Sequence, residues 1–288
     1  MSNKVKIAFY TDFSNESRVA LNTLIFNTWG FDFDLDILCL SEKDNMEYSK
    51  SEMEGLKKEL DFNLENGHQI KSKIFSTEEE KLLLSHLNNE DYFCLMIGVS
   101  SSETEWKPGN ILYNFYYHIK KDLIIIPLSH QVKIENRGMI ALEFENLEKL
   151  YALKKSEEFF KFYFAKLKLV IISDDLLSKD DNEMITEFTA KILPGIDIQI
   201  VNFEKAVTQE LILYSVLESP IDYFIYFNDD YLEDVVHGKL EAAILPGIHK
   251  FTLARVWIND ELLENLKYGE AATEKLQLKT FEEDYISQ

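Results

Sequence analysis

Ten short strand-like runs, separated by segments of helical periodicity, constrain this chain more than any other feature of its sequence. In the first half the runs are Val5 to Tyr10, Phe33 to Leu40, Gln69 to Phe75, Tyr92 to Val99 and Leu123 to Pro127. Between them, Ala20, Leu21, Leu24, Ile25 and Thr28 recur at helical spacing, as do Leu56, Leu60 and Leu64, then Leu82, Leu83 and Leu87, and finally Ile111, Leu112, Phe115, Tyr116 and Ile119. Strands that alternate with helices are joined by crossovers and so lie parallel. Runs such as Ile124-Ile125-Ile126 suit strands buried on both faces.

The order then repeats. Strands are expected at Met139 to Leu142, Leu167 to Ile172, Ile196 to Val201, Asp222 to Phe227 and Lys250 to Val256, each about 130 residues after its counterpart. Gly67 to Phe75 matches Gly195 to Phe203, and Asp91-Tyr92-Phe93 matches Asp222-Tyr223-Phe224. A chain of 288 residues has room for two such units, each large enough for its own core. The expected division is residues 1–132 and 133–288, with a link from Pro127 to Asn136 and an acidic extension after Asn259. Two five-stranded sheets of like topology are expected, and a single continuous sheet, or an all-helical second half, is taken to rule out the duplication.

The opening stretch carries the chemistry. Its strand ends at Asp12 and a helix begins within a few residues, with Ser14 placed to cap it. In an open parallel sheet ligands bind outside the carboxyl ends of the strands, so Asp12 stands where a site is expected. The Thr11-Asp12-Phe13-Ser14 turn, with Asn15, Ser17 and Ala20 on the helix, resembles the opening of a universal stress protein domain. The doubled organisation resembles a tandem, Bacteroidetes-like member of that family.

That resemblance implies an α/β fold of two tandem Rossmann-like domains of the adenine nucleotide alpha hydrolase type. Each would be a doubly wound five-stranded parallel sheet of order 3-2-1-4-5, and the two would pair through their fifth strands. It also implies a ligand crevice between strands one and four, with Asp12, Gly98, Ser100, Ser101, Gly109 and Asn110 as the binding residues. Members that bind ATP carry glycines that let backbone amides approach the phosphates. Here Gly98 and the Gly109-Asn110 pair match that pattern in part. Ser101 stands where the second glycine is expected, the loop is two residues shorter than the pattern, and Glu103 and Glu105 add negative charge beside Lys107. The second copy departs further, with Glu143 at the Asp12 position and Asp229, Asp230, Glu233 and Asp234 crowding its loop before Gly238.

Function is expected to be non-enzymatic and regulatory, in a stress response, with a degenerate nucleotide site in the first copy. No cofactor is required on this reading, and ATP or AMP is the candidate ligand. The alternatives are an ATP- or AMP-binding switch, with weak ATPase activity as its enzymatic extreme, and an adaptor that binds another protein or a second copy of itself. Asp and Glu exceed Lys and Arg by 51 to 30, a formal charge of -21, which disfavours nucleic acid and anionic membrane surfaces as partners. With no apolar stretch of signal or membrane-spanning length, a cytoplasmic protein is expected.

Other groups read as structural. Cys39 and Cys94 sit in apolar runs and are expected as buried thiols. The six histidines, at positions 68, 86, 118, 130, 237 and 249, lack metal-ligand spacing, and no nucleophile motif is present. Asp32, Asp34 and Asp36 share one strand face and are expected to form a solvated strand entrance. Tyr113, Phe115, Tyr116 and Tyr117 crowd one helix, which leaves core packing and an interface as alternatives for its aromatic surface.

Overall fold

Apolar runs buried on both faces need helices above and below them, and the chain supplies both. The computed structural model describes residues 4–28, 32–64, 68–99, 110–131, 133, 136–156, 166–206, 221–228, 236 and 251–258. The first half comprises β1 (Val5–Tyr10), α1 (Asn15–Asn27), β2 (Phe33–Ser41), α2 (Met46–Asn63), β3 (Gln69–Ser76), α3 (Glu80–Asn89), β4 (Cys94–Val99), α4 (Ile111–His118) and β5 (Asp122–Pro127). The second comprises β6 (Arg137–Glu143), a 3-10 segment (Phe144–Ser156) kinked at Asn146, β7 (Lys166–Ser173), α5 (Lys179–Ile192), β8 (Asp197–Glu204), β9 (Tyr223–Phe227) and β10 (Thr252–Val256). The acidic extension expected after Asn259 lies outside the described residues.

The strands form one sheet of ten in the order β3-β2-β1-β4-β5-β10-β9-β6-β7-β8. Its first five follow 3-2-1-4-5, and the remaining five run through the same order from the other end. Every neighbouring pair is parallel except β5 and β10, which pair antiparallel with Ile124 opposite Ala254. The expectation of two separate sheets is therefore corrected. Fifth-strand pairing itself merges them, so the reversed strand order, rather than a gap, is the mark of two like units.

Packing crosses the seam as well. One apolar cluster beneath the sheet joins Ile7, Phe9, Leu24 and Ile126 to Ile140, Leu169 and Ile225, while the other face joins Leu95, Phe115 and Ile125 to Phe224 and Leu253. Within α3, Leu83 and Leu87 are buried but Leu82 is 58% exposed, a correction to the expected stripe. Leu82 precedes the buried pair by one and five residues, and at 100° per residue it falls outside their face.

Side chains then stitch the seam. Arg255, on β10, is 2% exposed and donates to the last carbonyls of α4, those of Tyr116 and, at 2.6 Å, Ile119. A guanidinium there both satisfies orphan acceptors and complements the negative helix end. The Tyr116 and Tyr226 hydroxyls hydrogen-bond to each other, and the Trp257 amide donates to Asp122 Oδ1 at 2.8 Å. Within α4, Phe115 and Tyr116 are thus buried, whereas Tyr117 is exposed. Core packing and an interface between the halves both account for that aromatic helix.

Two outcomes are expected. A chain ending at Gln131 would bare β5, whose six residues are all buried, and an apolar unpaired edge recruits another strand. Light scattering should therefore show dimers or aggregates, and a well-behaved monomer would contradict the seam. His130 lies buried against Thr252 Oγ1 at 3.2 Å, and burial, which outweighs attraction to Asp222, lowers its pKa to about 4. The unfolded chain binds a proton at this histidine near pH 6.5 while the native chain does not. Stability should thus fall by about 1–3 kcal/mol as pH drops from about 6.5 to about 4. Urea titrations of His130→Gln should show a shallower acid slope, and an unchanged slope would contradict this assignment.

Candidate functional site

The turn after β1 is built from short polar side chains that bond to one another. Thr11 continues the sheet through its amide to the Leu38 carbonyl at 2.9 Å, and Phe13 then takes φ 63°, a left-handed conformation that costs a bulky residue on the order of 1 kcal/mol or more. The Phe13 amide bonds Thr11 Oγ1 at 3.0 Å, which helps hold the turn. Ser14 caps α1 by accepting from the Ser17 amide at 3.2 Å, as its sequence position implied.

Asp12 is turned back toward this helix. Its Oδ1 accepts from the Ser14 amide at 3.0 Å and from the Ser17 hydroxyl, and its own amide donates to Ser17 Oγ at 3.3 Å. Partial burial of the carboxyl pushes its pKa up, but the bonds from Ser14 and Ser17 outweigh that and leave it below the ordinary aspartate value. Asp12 remains exposed and lines the crevice. The chain thereby places its own anion at the amino end of α1.

Across the crevice stand Gly98, near the end of β4, and Asn110, at the start of α4. A Cβ on Gly98 would overlap the Glu16 carbonyl and lie 2.6 Å from the Ser17 amide nitrogen. This glycine thus lets α1 approach β4 closely, a packing role independent of any ligand. Asn110 accepts the Leu112 amide at 2.9 Å and caps α4. Asp12, Gly98 and Asn110 line one cavity of about 230 Å³ with Tyr10, Glu16 and Ser17. Among the described residues its lining holds two carboxylates and no lysine or arginine. Ser100, Ser101 and Gly109, with Glu103, Glu105 and Lys107, lie outside the described residues.

In the second half the carboxylate at the equivalent place is engaged in another way. Ile7 pairs with Cys94 and its counterpart Gly138 with Tyr223, and five residues beyond each come Asp12 and Glu143. Glu143 is bound by Lys205 Nζ at 2.9 Å and Asn146 Nδ2 at 2.8 Å, and Lys205 lies 3.5 Å from Asp174. The bond to Glu143 raises the Lys205 pKa despite its desolvation. Asn228, at the end of β9, is latched to Ile258 by two hydrogen bonds, of 2.6 and 3.1 Å. The loop containing Asp229, Asp230, Glu233, Asp234 and Gly238 lies outside the described residues. The same pairing shows that Asp91-Tyr92-Phe93 and Asp222-Tyr223-Phe224 are out of step by two residues, since Cys94 corresponds to Tyr223.

The aspartate row on β2 is not a solvated entrance throughout. Asp36 is 7% exposed and takes Lys6 Nζ at 3.2 Å and the Tyr92 hydroxyl at 2.6 Å, while His86 Nε2 lies 3.1 Å from that hydroxyl. Sequence alternation placed Asp36 on the right face but could not show α3 folding over it. Cys39 and Cys94 are buried free thiols. Among the described residues no group of three or more His, Cys, Asp or Glu side chains is placed to hold a metal ion. His237 and His249 lie outside them.

No family model matches the chain, and no curated protein matches it. Solved structures do. The crystal structure of a universal stress protein from Archaeoglobus fulgidus DSM 4304 superposes with a TM-score of 0.63 at 11% identity, covering 89% of this chain and 97% of that one. A putative universal stress protein from Pseudomonas aeruginosa UCBPP-PA14 gives 0.56 at 9% identity, covering 93% and 97%. The cytoplasmic domain of a prokaryotic cation chloride cotransporter gives 0.52 at 13% identity, covering 88% and 95%. Such identities carry the fold, which is that of universal stress proteins, and leave the activity to the site itself. No helix among the described residues is long and apolar enough to cross a membrane.

Because the atoms facing Gly98 are backbone, Gly98→Ala should destabilise the chain by about 1–3 kcal/mol through forced separation of α1 and β4. Chemical denaturation without any ligand measures this. A neutral substitution would return Gly98 to a purely ligand-related role.

Proposed function

We propose that this protein is a tandem universal-stress-protein-like regulator without catalytic activity, whose first-half crevice is a degenerate nucleotide site. The halves divide at residues 1–132 and 133–288 and act as an intramolecular pseudo-dimer. The observation that carries this reading is the internal engagement of the turn into α1: Asp12 Oδ1 takes the Ser14 amide and Ser14 Oγ takes the Ser17 amide. Asp12 and Glu16 then face the cavity without a lysine or arginine in its described lining, so polyanionic ligands meet repulsion there.

A second reading has its own support. The cavity of about 230 Å³ lies between Asp12 and the capped end of α4, and a carboxylate in its lining suits a ribose or adenine donor. An adenosine-type ligand suits that arrangement better than a triphosphate. Signalling through a protein partner or a second copy is compatible with either reading.

Titration calorimetry with ATP, AMP and adenosine separates the possibilities. ATP should bind weakly or not at all, AMP and adenosine at least as well as ATP, and Asp12→Ala should weaken whatever binding is seen. Micromolar ATP binding, lost in Asp12→Ala and weaker for AMP, would overturn the proposal in favour of an ATP-dependent switch.

A further inference from the structure

The last turn of α3 carries a histidine that the crevice does not use. His86 is 20% exposed, with its ring 5.8 Å from that of Phe75 on β3 and 5.9 Å from that of Tyr92. Hydrogen counting fixes its tautomer. Asp36 is ion-paired with Lys6 and can only accept, so the single Tyr92 hydroxyl hydrogen goes to Asp36 Oδ2 at 2.6 Å. His86 Nε2, 3.1 Å from the same hydroxyl oxygen, is then the donor, and Nδ1 carries no hydrogen. Glu90 Oε1 stands 4.0 Å from Nδ1, outside hydrogen-bond distance, while Lys6 Nζ holds Glu90 Oε2 at 2.8 Å.

A second proton on this ring enters an unfavourable place. Partial burial removes some of its hydration, and Lys73 from β3 and Lys6 from β1 repel it. Glu90 at the end of α3 and Asp36 from β2 attract it, as does the negative end of the helix, but both carboxylates already face Lys6, and Lys71 acts on Glu90 as well. Burial leads, and the balance lowers the His86 pKa from its ordinary value. Any state in which His86 turns out to water therefore binds the proton more strongly. The closed arrangement loses stability as pH falls below about 6.5, until the lowered folded value is passed.

The same turn of α3 holds α4. Asn88 Nδ2 donates to the His118 carbonyl at 2.9 Å, and its Oδ1 accepts the Lys120 amide at 2.7 Å. At its other end α4 is capped by Asn110, in the lining of the cavity at Asp12. We propose that His86 is a proton switch: in mild acid it leaves Tyr92 for water, which loosens the last turn of α3 and, through Asn88, the carboxyl end of α4. The switch is separate from the crevice chemistry and operates whether or not a nucleotide binds there.

The test is a pH titration of the full chain by nuclear magnetic resonance, from about pH 8 to about pH 5.5, reading the His86 ring nitrogens and the Lys120 amide. His118→Gln serves as the parent, so that the exposed histidine two residues before Lys120 does not titrate. At the alkaline end the ring should show Nε2–H, and ring and amide should share one midpoint below about 6.5. Lys73 is exposed, so Lys73→Gln should fold as the parent does and raise both midpoints together by about 0.3 of a pH unit or more. His86→Gln, which keeps a donor toward Tyr92, should abolish the movement of the Lys120 amide. An Nδ1–H tautomer, no titration in this range, midpoints unmoved by Lys73→Gln, or a Lys120 amide that still titrates in His86→Gln would each overturn the proposal.

Discussion

The antiparallel contact of β5 with β10 is the constraint from which the rest of the molecule follows. All other strand pairs are parallel, and a parallel five-stranded unit ends in an edge whose backbone groups and side chains need cover. Here the two ends cover each other, so both apolar layers run unbroken from one half to the other. Arg255 deepens the dependence. Its buried guanidinium is held by carbonyls at the end of α4, which means that the last described strand of the chain completes a helix of the first half. Loss of either side would leave buried polar groups unsatisfied, at about 1–3 kcal/mol each.

That architecture sets the chemistry of the crevice. A doubly wound sheet puts Asp12 at the carboxyl end of β1 beside the amino end of α1, the usual place for an anion. In this chain the anion is supplied from within. Ser14 and Ser17 hold the carboxylate, and Gly98 brings α1 close enough to β4 to leave a small cavity. In the second half a lysine, Lys205, neutralises the corresponding glutamate.

Much of this was legible in the sequence. Strand and helix periods located the ten described strands, eight as apolar runs between helices and the edge strands β3 and β8 through their match to each other. Register was less accessible. Repeated letters aligned Asp91-Tyr92-Phe93 with Asp222-Tyr223-Phe224, yet hydrogen-bond pairing displaces that match by two residues, a shift that keeps every side chain on its face and so leaves no trace in the apolar pattern. Asp36 was misread for a related reason: alternation gives a face, whereas burial depends on Tyr92 and His86 arriving from elsewhere. For Gly98 the glycine pattern offers a ligand-binding role, whereas its close approach to Glu16 is a tertiary fact that no local motif encodes.

The account holds that the halves are one cooperative body joined at the fifth strands. Native-state hydrogen exchange tests this most directly, by comparing amides of β5 and β10 with those of the central strands β1 and β6. All four should exchange through the same global opening, with equal free energies and equal denaturant dependence. Separate opening of the two halves, with β5 and β10 exchanging well before β1 and β6, would contradict it.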